Sequence, residues 1–84
     1  MFNDYLQAAI KQATYEVFEE DGSIYGEIPK CRGVYANEKT FEKCRNELIE
    51  VLEDWIIFRL RNNLQIPIID NIDLNILETV DAAY

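Results

Sequence analysis

The hydrophobic period changes along the chain. Leu6, Ala9, Ile10 and Ala13 recur on one helical face, with Asn3 placed to cap the segment and Asp4 in its first turn, where the helix dipole favours negative charge. This predicts a helix over 3–12. Its stripe is narrow and rich in alanine, and a helix so short is marginal alone, so it is expected to lie against another element. From Thr14 the period becomes two: Tyr15 and Val17 point one way, and Thr14, Glu16 and Phe18 the other. Asp21-Gly22 suits a tight hairpin turn of the type that needs positive φ. Ser23–Ile28 alternates again, Pro29 cannot donate to a ladder, and Val34-Tyr35-Ala36 reads as a third strand. Residues 14–36 therefore form an antiparallel meander.

Thr40 opens the dominant element, a helix expected over 40–63. Its hydroxyl can accept from a free amide of the first turn, although Lys43 stands where Glu or Gln would complete a capping box. Phe41, Cys44, Leu48, Val51, Trp55 and Phe58 form one stripe, and Ile49, Leu52, Ile56 and Leu60 a second beside it. Arg59 and Arg61 complement the negative end of the helix. Up to Asp54 the remaining face is polar, whereas Trp55, Ile56, Ile57, Phe58 and Leu60 leave little polar surface. A helix apolar nearly all round must be covered on more than one side, by the N-terminal helix, by the tail or by another subunit. In the tail, 65–70 and 74–80 read as strands, the latter flawed by Glu78 on the face of Ile76 and Val80. The pattern is thus α+β: a small antiparallel sheet of three or four strands packed on one long helix, with a short N-terminal helix, in a single domain spanning 1–84.

Composition narrows the function. At 84 residues the chain buries only about 60–65% of its unfolded surface. Acidic residues outnumber basic ones 16 to 8, for a net charge of -8, which argues against a general nucleic-acid binder and suits a basic partner. Without histidine, the usual acid–base group and commonest metal ligand are missing, so no cofactor and no metal are expected. Cys31 and Cys44 make no CxxC pair. The first residues lack a basic region followed by an apolar one, and the longest apolar run, Trp55–Phe58, is too short for a bilayer. A cytoplasmic location without membrane contact is expected.

The stretch Tyr25-Gly26-Glu27-Ile28-Pro29-Lys30-Cys31-Arg32-Gly33-Val34, followed by Thr40-Phe41-Glu42-Lys43-Cys44-Arg45-Asn46-Glu47-Leu48 and Glu50–Trp55, resembles the HicB family of antitoxin-like proteins. The resemblance covers residues 14–65. It implies a degenerate ribonuclease-H-like core and a non-catalytic protein that binds and neutralises a small basic RNA-cleaving toxin. It also implies dimers or higher homo-oligomers. Arg32 stands where many relatives have a second proline, the initial helix precedes the family's first strand, and no C-terminal DNA-binding unit is expected within these residues, which makes DNA binding doubtful.

Each candidate residue has an ordinary reading beside the functional one. Glu47, Glu50, Glu53 and Asp54 are either a partner-facing acidic surface or a solvated helix face. Trp55, Ile56, Ile57, Phe58 and Leu60 are either an oligomer interface or intrachain core. Residues 30–45 carry a local charge of +3 against -11 elsewhere, through Lys30, Arg32, Lys39, Lys43 and Arg45; this is a phosphate-contacting patch or ordinary surface charge. Glu16 and Glu27 lie on neighbouring strands, but surface glutamates on a half-exposed sheet are far commoner than metal-binding pairs, so no enzyme activity is expected. Cys44 reads as inert core, and Cys31, in a turn, as an exposed thiol. The alternative to an inhibitor is a stand-alone oligomeric domain without a toxin partner.

Overall fold

Helix α1 (Phe2–Lys11) leads into strands β1 (Thr14–Val17), β2 (Ile24–Glu27) and β3 (Tyr35–Glu38), and then into α2 (Phe41–Arg61). The computed structural model describes residues 2–75. The sheet has the order β1-β2-β3, antiparallel throughout, so the α+β architecture read from the sequence is the one observed. Pairing of Tyr15 with Gly26 and of Gly26 with Ala36 places these three on the face that meets α2. A Cβ on Gly26 would stand 2.9 Å from Cys44 Sγ, 2.9 Å from Leu48 Cδ1 and 3.0 Å from the Tyr15 ring. The missing side chain therefore sets how closely the helix approaches the sheet.

The core of α2 is a row at spacing four, Cys44, Leu48, Leu52 and Ile56, all fully buried. This row draws on both stripes seen in the sequence; Phe41 falls off it and lies largely exposed over the Tyr15 ring, centroids 4.5 Å apart. Thr40 caps the helix as expected, its Oγ1 accepting from Lys43 N at 3.2 Å. The short helix α1 packs on α2 through a face containing Tyr5, Leu6, Ala9 and Ile10. From the segment after α2, Ile66, Ile69 and Leu74 complete the core.

The connections depart from the sequence pattern in specific ways. The first hairpin closes on Phe18 N donating to Ser23 O and Gly22 N to Phe18 O, which makes a four-residue loop rather than a two-residue turn. The tighter turn needs positive φ at both central residues, and of Asp21 and Gly22 only the glycine adopts it. The third strand is shifted to Tyr35–Glu38, because Val34 still closes the preceding turn through its N–H to Cys31 O at 3.0 Å. Among the described residues, segment 65–70 pairs with no strand. The side chain of Asn75 occupies the backbone of Ile66 instead, accepting from its N–H at 3.0 Å and donating to its carbonyl at 2.8 Å. Asp70 and Asn71, both at positive φ, then turn the chain between Ile69 and Ile72. Of the strand expected at 74–80, Leu74 lies in a turn, and 76–80 fall outside the described residues. Among the described residues no helix is long and apolar enough to cross a membrane.

Candidate interaction surfaces on the long helix

Successive residues of a helix are about 100° apart, so α2 presents different chemistry on its different sides. Away from the sheet, Glu50, Glu53 and Asp54 line a shallow hollow of ≈ 250 Å³, and among the described residues no other type lines it. Glu47 continues this side one turn earlier. Its carboxyl is held above the ordinary glutamate range, first by desolvation, then by the charge of Glu38 and a hydrogen bond with it, and then by Glu50. The four acidic residues singled out in the sequence thus share one side of the helix, with Glu47 and Glu53 half-buried and Glu50 and Asp54 exposed.

The five apolar residues beyond them do not form one surface. Ile56 is fully buried within the protomer, at the end of the core row, and is unavailable to a second chain. Leu60 is packed against the same core. Trp55 is half-buried, with the Arg59 guanidinium 4.9 Å from its ring centroid. Only Ile57 and Phe58 are open, 42% and 59% exposed, and they adjoin the acidic side. The expectation of a broad apolar interface therefore contracts to this pair, because Ile56 belongs to the chain's own core and Trp55 and Leu60 are packed against it.

A second hollow lies nearly opposite the acidic one. Lys30, Arg32, Trp55, Arg59, Gln65 and Pro67 line a cleft of ≈ 350 Å³, and none of these residues is acidic. The loop after β2 makes two successive turns, Cys31 N to Ile28 O and Val34 N to Cys31 O. These bury Cys31 and leave Lys30 and Arg32 exposed on either side of it. Gly33, at φ +101, completes the loop beside the Trp55 indole nitrogen. Arg59 is held in place by its Nε, which donates to Gln65 O at 2.7 Å, and the tail is held by Tyr5 donating its hydroxyl to Pro67 O at 2.6 Å. The basic segment 30–45 is thereby divided: Lys39, Lys43 and Arg45, near the start of α2, take no part in the cleft. Sequence reasoning missed Arg59 as a member of this group, since it read only as a complement to the helix dipole.

The open face of the sheet carries a further feature that was missed. Phe18, Tyr25 and Tyr35 stack in a row with centroids 5.9 and 6.1 Å apart. Glu16 pairs with Tyr25, and Glu27 with Thr14 and Tyr35, so the two glutamates lie on this aromatic face. The Tyr25 hydroxyl is pushed up by desolvation and then by the charges of Glu27, Tyr35 and Glu16. Among the described residues no group of three or more Cys, Asp or Glu is arranged to hold a metal. Both thiols are reduced and fully buried, contrary to the exposed Cys31 expected from its turn position. Burial raises both: Cys31 lies beside Tyr5 and Arg59, and Cys44 is raised further by Glu47 and Glu38.

A family model described as UPF0150-like matches residues 4–67. The chain belongs to the UPF0150-like family. The matched span contains α1 from Asp4 onward, the whole sheet, α2 and every residue of the cationic cleft. The crystal structure of TTHA0281 from Thermus thermophilus is similar over 87% of this chain and 90% of that one, at 34% sequence identity and a TM-score of 0.78. No curated protein matches the chain.

Proposed function

We propose that this UPF0150-like protein is a HicB-like, non-catalytic inhibitor that binds and neutralises a small basic RNA-cleaving toxin. The observation that carries the reading is the acidic side of α2, where Glu47, Glu50, Glu53 and Asp54 gather next to exposed Ile57 and Phe58. A docking surface with an apolar centre and an acidic rim selects a basic partner, and such charge raises association rate more than it lowers dissociation rate. Affinity capture from the native cell at moderate salt should yield a stoichiometric basic protein whose ribonuclease activity this chain suppresses. Glu50→Lys combined with Glu53→Lys should weaken the complex by about tenfold or more, mainly through the association rate. Unchanged affinity would remove α2 as the docking side; capture of no such protein would remove the inhibitor reading.

Exposed Ile57 and Phe58 support a second reading, a stand-alone homo-oligomer. Phe58→Glu then lowers the molar mass measured by light scattering, and an unaltered mass counts against this interface.

A further inference from the structure

The cationic cleft is at odds with the composition. The chain has 16 acidic residues and 8 basic ones, yet of the described residues lining the cleft three are basic and none is acidic. The three cations come from two distant segments, Lys30 and Arg32 from the loop after β2 and Arg59 from the last turn of α2. Like charges repel when brought together, and this fold brings them together without a carboxylate among the described residues of the lining. Surface charge scattered for solubility has no reason to collect in a concavity.

The cleft also has a flat apolar wall. Trp55, the only tryptophan of the chain, is braced on one side by the Arg59 guanidinium and abuts the Gly33 turn at its indole nitrogen. Gln65 contributes an amide, which can both donate and accept. At ≈ 350 Å³ the volume falls near the lower end of the range of about 300–1,000 Å³ common for small-molecule sites, enough for one ring system and one charged group. Aromatic walls hold nucleobases by stacking, and Lys and Arg hold phosphate oxygens by charge-assisted hydrogen bonds.

From these features we infer that the cleft binds a nucleoside phosphate. Lys30 and Arg32, both exposed, meet the phosphate at the mouth; Trp55 takes the base, and Gln65 meets its polar edge. Arg59 plays a double part, stacking on the indole while adding positive charge. The same chemistry fits a free mononucleotide and the phosphorylated end of an RNA strand. The cleft lies away from the acidic side of α2, so the inference stands apart from the inhibitor reading and fails independently of it.

Trp55 fluorescence provides the test in the full chain. Titration with AMP should change the emission saturably, with adenosine and inorganic phosphate each binding at least about tenfold more weakly. Lys30→Glu with Arg32→Glu should lower AMP affinity by about tenfold or more while leaving thermal unfolding cooperative. Lys43→Glu makes a charge change of the same kind outside the cleft and should leave affinity within about twofold, apart from general screening. A 5′-phosphorylated trinucleotide that binds more tightly than AMP identifies the RNA end as the source, whereas equal affinity identifies the free nucleotide. The inference is overturned if AMP gives no saturable change into the millimolar range. It is also overturned if inorganic phosphate alone binds as well as AMP, or if the double substitution leaves AMP affinity unchanged.

Discussion

The hollow lined by Glu50, Glu53 and Asp54 and the cleft lined by Lys30, Arg32, Trp55, Arg59, Gln65 and Pro67 lie along the same helix. They are assembled in different ways. Three residues within one turn and a half of α2 make the acidic hollow, so it exists wherever that helix exists. The cationic cleft needs the β2–β3 loop, the end of α2 and the returning tail to meet, and each is positioned by a core anchor: Cys31, Ile56 and Ile66, all fully buried. Local surfaces persist under partial loss of structure, while surfaces built from distant segments report whether tertiary packing is intact.

Ile66→Ala breaks the comparison most strongly. Ile66 is fully buried, and removing such a side chain costs about 2–5 kcal/mol. The melting temperature should fall by about 4–8 °C for each kcal/mol. Below the transition, Trp55 emission should shift to the red as the tail loosens, while the helical circular dichroism contributed by α2 holds. An unshifted emission maximum would mean that the tail does not shape the cleft.

Gly26→Ala acts on both surfaces at once. The added methyl meets Cys44 Sγ, Leu48 Cδ1 and Tyr15 within 3.0 Å, and overpacking of this kind costs about 1–3 kcal/mol. Because it lifts α2 from the sheet, denaturant midpoints read from tryptophan emission and from circular dichroism should fall together. Midpoints that separate would show that the two sides of α2 are not mechanically joined.

The smallest effect belongs to Glu47. Its carboxyl titrates above the ordinary glutamate range in the folded protein, so the folded state binds more protons than the unfolded state between those two values. Stability therefore declines as pH rises through that window. Glu47→Gln removes this decline, flattening the dependence of melting temperature on pH above the ordinary glutamate range. An unchanged slope would assign the decline to other carboxylates.

Much of the fold could be read from local signals. The Thr40 cap, the apolar spacing of α2 and the alternation of β1 and β2 depend on neighbouring residues, and the structure reproduces them. The acidic side of α2 was legible for the same reason. What failed depended on remote partners. Ile56 looked available to a second subunit because the helix is apolar nearly all round there, yet the protomer's own core encloses it. The strand expected at 65–70 had the right composition, but Asn75 takes the backbone groups of Ile66 that a neighbouring strand would have used. The cleft was half legible: the excess of positive charge at 30–45 was visible, but nothing local joins Lys30 and Arg32 to Arg59. The one signal that could have helped is Asn62-Asn63 at the end of α2, since asparagine tolerates the positive φ found at Asn63, where the chain turns back.

The two buried thiols mark the two layers of packing separately. Cys44 is sealed between α2 and the sheet, where its Sγ lies 3.6 Å from Ala36 O, and Cys31 is sealed in the loop after β2 beside Tyr5, whose hydroxyl holds the tail at Pro67. Neither reacts with a thiol reagent until its own layer opens, so the protein carries two internal clocks. The rate at which each cysteine becomes modified measures how often its layer breathes.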